Sequence, residues 1–296
     1  MSAGSITQNR FGKNAKHANH TVPKALLKRW LTTVNGQEGL WYLDCATGAI
    51  RFELGKKASF AISEYRYVPV RASAEGAIYR DESIEDWFST GESDLARITD
   101  LVLQGQSLQG LDASGGGFLQ AAILLGFRSS YEYQLLEDAL IASDPDMSMD
   151  AVARRVLDQF RKTYSLKLRE FSNWDYQIVR TPDVPLLVCD RPMFDMTLHE
   201  QRLEILTIPL APTLLMFATP PKDRDSKHLT LTISTKPDEN LARLSNISTA
   251  ERARGFVVGR LDQLQAIQPE FLGNKFENRR ATDRIVVETK PAQSKP

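Results

Sequence analysis

The sequence predicts an α+β fold, and three observations predict it. The middle third carries apolar residues at helical spacing, and the chain after residue 170 alternates apolar and polar residues with a period of two. Several strands also follow one another through short connections, which argues against a doubly wound parallel sheet. The expected architecture is a helical N-terminal half with a small hairpin, a mostly antiparallel or mixed sheet in the C-terminal half, and two closing helices. With 296 residues, 42% of them hydrophobic, the chain can bury one large core. Residues 17–272 are expected to form a single domain, flanked by a disordered segment 1–16 and a polar, disordered tail 273–296.

Each element has a local reason. Pro23 fits a first helical turn, and Leu26, Leu27, Trp30 and Leu31 follow at helical spacing until Asn35-Gly36 stops them. Strands over 40–43 and 50–54 form a hairpin through Asp44-Cys45-Ala46-Thr47-Gly48. Ser83 opens a helix with Ile84, Trp87, Phe88, Leu95, Ile98 and Val102 on one face, interrupted at Gly91. A glycine-rich loop spans 104–117, and helices follow over 118–126, 130–142 and 148–168. Strands are expected over 174–179, 186–189, 203–208, 214–218 and 229–233, with a corner at Pro209-Leu210-Ala211-Pro212. Asp238-Glu239 opens one closing helix, and Ser248 with Glu251 has the capping-box spacing for a second.

Composition excludes some functions. The 37 basic and 37 acidic residues cancel, so no global basic excess points to duplex nucleic acid. Cys45 and Cys189 lie far apart, without metal-finger spacing, and read as reduced thiols of a cytoplasmic protein. The first ten residues contain no apolar h-region, and no run approaches the roughly 18 apolar residues that cross a bilayer. Neither a secretory signal nor a membrane partner is expected.

The candidate site residues are polar and scattered. His20 precedes the first helix, where an imidazole can serve as acid, base or metal ligand, or simply cap the helix. His17 is the poorer candidate, because its surroundings are polar and loose. Lys28 and Arg29 follow one to two turns on and could meet phosphate. Glu85 and Glu92 are seven apart, on one side of an unbroken helix, and could hold Mg²⁺ or Mn²⁺ or form a solvated acidic face. Asp190, followed by Arg191-Pro192, closes a strand and could be a catalytic carboxylate or a turn former. Asn246 could end a helix or reach a ligand. Gly115-Gly116-Gly117 could cradle an anion on backbone N–H groups, although no Lys-Ser/Thr follows as in a P-loop.

Taken in order, these pieces resemble the domain of unknown function 4238 family, a group of uncharacterised, mostly bacterial proteins. The resemblance rests on His20-Thr21-Val22-Pro23 running into Leu26, Leu27 and Trp30, then on Leu40-Trp41-Tyr42-Leu43-Asp44 and Ile84-Glu85. Glu92, the strand led by Trp174, the Pro209-Leu210-Ala211-Pro212 corner and Asn246 complete it, from about His17 to Gly259. Cys189 and Arg191 depart from a pattern that has Ser and Asn at those places. The resemblance implies a fold pattern and no reaction. It gathers His20, Glu85, Glu92, Asp190 and Asn246 as one expected set. On that set we expect a metal-assisted hydrolase, with nucleic acid as a substrate and a role as bacterial toxin or antiphage effector. His20, Asp190 and Glu85 would be catalytic, Glu85, Glu92 and Asp190 would hold the divalent cation, and Lys28, Arg29, Arg191 and Asn246 would bind substrate. The alternative is a non-catalytic module that senses or binds a protein partner.

Overall fold

The computed structural model describes residues 18–55, 57–64, 70–72, 78–80, 83–89, 91–106, 115–126, 128–198, 203–221, 230–234, 236–273 and 275–277. In chain order the first elements are β1 (Ala18–His20), α1 (Lys24–Leu27) running into a 3-10 turn (Lys28–Trp30), β2 (Thr32–Val34), β3 (Gln37–Asp44) and β4 (Ile50–Leu54). Then come β5 (Ile62–Glu64), β6 (Val70–Ala72), β7 (Ile78–Arg80), α2 (Ser83–Ser89), α3 (Glu92–Leu103), α4 (Gly115–Leu124), α5 (Ser130–Ser143) and α6 (Met149–Phe171). The remainder is β8 (Asp175–Arg180), β9 (Val188–Cys189), β10 (Phe194–Leu198), β11 (Leu203–Ala211), β12 (Leu214–Thr219), β13 (Thr230–Ile233), α7 (Glu239–Arg252), β14 (Phe256–Val258) and α8 (Leu261–Ile267).

Among the described residues, two five-stranded sheets organise this α+β protein. The first has the order β10-β11-β12-β8-β13, antiparallel except where β13 runs parallel to β8. The second joins both ends of the chain in the order β2-β3-β14-β9, with β4 paired on β3. The period of two decides what each face of the first sheet meets. Ile178 and Met216, opposite one another, enter the main core with Ile98, Val102 and Phe118 of the helices. Their neighbours Val179 and Leu215 point the other way, onto Leu241 and Ala242 of α7. A helical cluster of Phe88, Leu136, Val152, Val156 and Phe160 stands beside the main core. A further cluster packs Leu43, Val257, Leu264, Phe271 and Phe276 on the second sheet, so packing continues past residue 272. Among the described residues no helix is long and apolar enough to cross a membrane.

Several expectations are corrected. Asn35-Gly36 does more than stop a helix: with φ of 51° and 77°, the pair is the two-residue turn of a β2–β3 hairpin in which Val34 faces Gln37. Gly91, at φ 79°, splits the expected helix into α2 and α3. Gly115-Gly116-Gly117 lies inside the first turn of α4 instead of before it. Gly117 has a packing reason, because a Cβ there would stand 2.1 Å from Asp94 Oδ2. The Asp94 carboxylate therefore lies against the first turn of α4. Pro209 to Ala211 belong to β11, which bulges there, and only Pro212-Thr213 turns the chain. Ser248 lies inside a helix and does not open one. The two closing helices expected around it are one, α7, capped by Asp238, whose Oδ1 accepts the Leu241 N–H at 2.9 Å. The strands β1, β2, β5, β6, β7, β10 and β14 and the helix α8 were absent from the expectation, so the N-terminal part holds more strand than one small hairpin. Segment 1–16 and most of 273–296 lie outside the described residues, as does most of the expected loop at 104–117.

Candidate functional site

His20 is held by backbone. It ends β1 opposite Ile62 of β5, and the next residue, Thr21, donates both its N–H (2.8 Å) and its hydroxyl (3.0 Å) to the Ala61 carbonyl. The ring Nε2 lies 3.3 Å from the Lys57 carbonyl. A carbonyl can only accept, so Nε2 carries the proton and Nδ1 is the basic nitrogen. The ring is half-buried, and burial is the main cause that lowers its pKa below 6.5, with Lys24 and Arg128 pushing the same way. The Lys57 carbonyl and Glu92 act in the opposite sense. The imidazole is therefore neutral near pH 7, ready to take a proton rather than give one.

Glu92 opens α3 directly after Gly91, and its carboxylate pairs with Arg128. That guanidinium has only 5% of its side chain exposed and lies 5.3 Å from the centre of the Phe88 ring. A crevice between α1 and α3 lies beside this pair, lined by Pro23, Leu26, Arg29, Glu92 and Leu95 among others. Its free volume is ≈ 10 Å³, enough for about one water. Lys24 of α1, Lys28 of the 3-10 turn and Lys57 of the β4–β5 connection are exposed.

Asp190 belongs to a neighbouring set. The carboxylate, 1% exposed at the end of β9, accepts the Arg254 N–H at 3.0 Å on Oδ1 and the Ser129 hydroxyl at 3.4 Å on Oδ2. Burial raises its pKa, offset in part by the backbone N–H groups of residues 254–256 and by Arg191. Arg191 pairs with Glu132 in the first turn of α5 and reaches the Arg252 carbonyl at 3.5 Å. These groups pin the second sheet to α5 and leave the Asp190 oxygens facing protein. Cys189 is inert for a physical reason: burial first, then the adjacent Asp190, pushes its thiol up to about 12. We expect iodoacetamide at pH 8 to leave Cys189 unmodified in the native protein and to label it in urea. Mass-spectrometric peptide mapping checks this, and native labelling would overturn the assignment.

Glu92 acts on His20 electrostatically and pairs with Arg128, and the residue after Arg128, Ser129, donates to Asp190. Arg29 is committed elsewhere, donating to Asp100 Oδ1 at 2.5 Å and to the Ala96 carbonyl at 3.0 Å, so it ties α1 to α3. Asn246 sits inside α7 and does not end it. Its Oδ1 accepts the Leu187 N–H (2.8 Å) and its Nδ2 donates to the Pro185 carbonyl (2.9 Å), bracketing the approach to β9. Glu85 lies in α2, but its side chain is outside the described residues. Among the described residues, no three His, Cys, Asp or Glu side chains gather as a metal ion would need. Sequence reasoning missed Lys24, Arg128 and Ser129. The only signal for the last two was a cation directly before a Ser-Ser helix start, which reads as an ordinary cap.

A family model described as a protein of unknown function (DUF4238) matches residues 18–263. No curated protein and no solved structure matches the chain.

Proposed function

Since the chain belongs to this DUF4238 family, whose description carries no reaction, we propose a function from the site itself: hydrolysis of a phosphoester, nucleic acid included, with His20 as general base. One observation carries the reading. A half-buried, neutral imidazole, its Nε2–H fixed on a backbone carbonyl, stands within electrostatic reach of Lys24, Glu92 and Arg128. A neutral base removes the proton from an attacking water, and cations beside it balance charge that builds on a phosphoryl oxygen. Lys24 and Lys28, exposed on the same short segment, are the groups for the phosphate. The expected cation on Glu85, Glu92 and Asp190 has weaker support, because Arg128 occupies Glu92 and backbone N–H groups occupy Asp190. With this reading goes a role as a growth-arresting toxin or antiphage effector.

The test is an assay of purified protein on single-stranded DNA, RNA and a nitrophenyl phosphodiester, each with EDTA, Mg²⁺ or Mn²⁺. We expect cleavage, and a loss of about a hundredfold in His20→Gln. Because the folded-state pKa of His20 is depressed below 6.5, activity should be full above that value and fall as pH drops through the lowered midpoint. Activity unchanged in His20→Gln would end the proposal. A second reading, a non-catalytic interaction module, draws support from Arg29, Asp190 and Asn246, whose polar atoms all serve the fold. Absence of cleavage in every arm would favour it.

A further inference from the structure

Ser129 stands at the N-cap of α5, yet its side chain makes no capping hydrogen bond. A serine there ordinarily accepts an N–H of the first turn. This hydroxyl instead donates to Asp190 Oδ2, across 61 residues of chain. Both groups are fully buried. Local helix energetics do not explain that choice, so its reason lies in what Ser129 holds in place.

The preceding residue supplies the reason. Arg128 is clamped at its guanidinium by Glu92 and by the Phe88 ring, and its backbone is clamped by the Ser129–Asp190 contact. Asp190 is itself fixed, through Oδ1 on the Arg254 N–H and through its own N–H on the Phe256 carbonyl at 3.3 Å. One turn into α5, the Glu132–Arg191 pair ties the same segment to the same strand end. The segment 128–132 thus joins the end of β9 to Glu92 and to the crevice that Glu92 shares with Pro23. We propose that Ser129 and Asp190 are positioning residues, which anchor residue 129 on the second sheet and so hold Arg128, and through it Glu92, at the crevice that Pro23 lines three residues from His20. The inference rests on reading His20 as the functional group, but its test needs no turnover.

The readout is the NMR titration midpoint of the His20 ring. The charged groups that act on it are Lys24 of α1, Arg128 before α5 and Glu92 of α3, with the Lys57 carbonyl on Nε2. Arg128→Met removes a cation and releases Glu92, so the midpoint should rise by about half a pH unit, the effect of one charge several ångströms away near water. Ser129→Ala and Asp190→Asn should raise it in the same direction, and Ser129→Thr, which keeps the hydroxyl, should restore it. A midpoint that stays at the wild-type value in Ser129→Ala overturns the proposal, even if the melting temperature falls, because a merely structural role lowers stability without touching His20. If Asp190→Asn does not fold, the Ser129→Ala and Ser129→Thr pair decides alone. Shifted midpoints together with a fully active His20→Gln would sink the hydrolase reading and leave the positioning intact.

Discussion

Glu92→Leu is expected to lower the unfolding free energy by about 3–5 kcal/mol, the range for breaking a buried ion pair from one side. The magnitude follows from which partner is left behind. Arg128 exposes 5% of its side chain and Glu92 27%, so removing Glu92 strands the cation that has less water. The Phe88 ring still faces the guanidinium, but a ring quadrupole returns only part of the lost interaction. The reverse change, Arg128→Met, should cost less, because the remaining carboxylate can turn toward solvent. Combining Glu92→Leu with Arg128→Met should recover most of the loss, since no unpaired charge remains. Urea denaturation checks all three: the midpoint should fall while the slope is unchanged. If Glu92→Leu lies within about 0.5 kcal/mol of wild type, as an exposed pair would, then Arg128 does not fix that carboxylate. The geometry argued for the His20 site would then fail with it.

That ion pair also shows where sequence reading stopped. The helical faces of α3 and α6 and the alternation of β8 and β13 were legible, because burying one side of an element imposes its period on neighbouring residues. Gly91 was legible as a break for the same local reason. Arg128 was not, since its partner is 36 residues away and nothing in its own neighbourhood requires a carboxylate. β9 was legible as the short apolar run 186–189, whereas β14, three residues long, is too short for a period to appear and exists because β3 on one side and β9 on the other offer edges to pair with. Ser248 and Glu251 had the spacing of a capping box, yet α7 continues through them because Leu241, Ala242, Ser245 and Thr249 are already buried along one face. His20 and Glu92 were named from sequence, and Glu92 is among the charges that act on the His20 ring. Asp190 was read as a catalytic carboxylate or a turn former and Asn246 as a helix end or a ligand contact, and both hydrogen-bond to backbone.

Trp30→Ala is the second large loss expected, about 3–5 kcal/mol for emptying a buried aromatic site. Trp30 is 5% exposed in the main core and donates its indole N–H to the Leu186 carbonyl at 2.8 Å. The contact spans 156 residues and joins the first helical segment to the approach of β9. Trp30→Phe separates the two contributions, keeping most of the apolar area and leaving the carbonyl without its donor. Its cost should be about 1–3 kcal/mol. The form of the unfolding curve matters more than its midpoint. The second sheet interleaves β2, β3 and β4 from one end of the chain with β9 and β14 from the other. Neither end can therefore leave without unpairing the other, and both variants should unfold in one transition, with fluorescence and circular dichroism coincident. Two separated transitions in Trp30→Phe would mean that the N-terminal strands melt alone. The chain would then be two units sharing a sheet edge, and a His20 site built on β1 could open while the first sheet and α7 stayed folded.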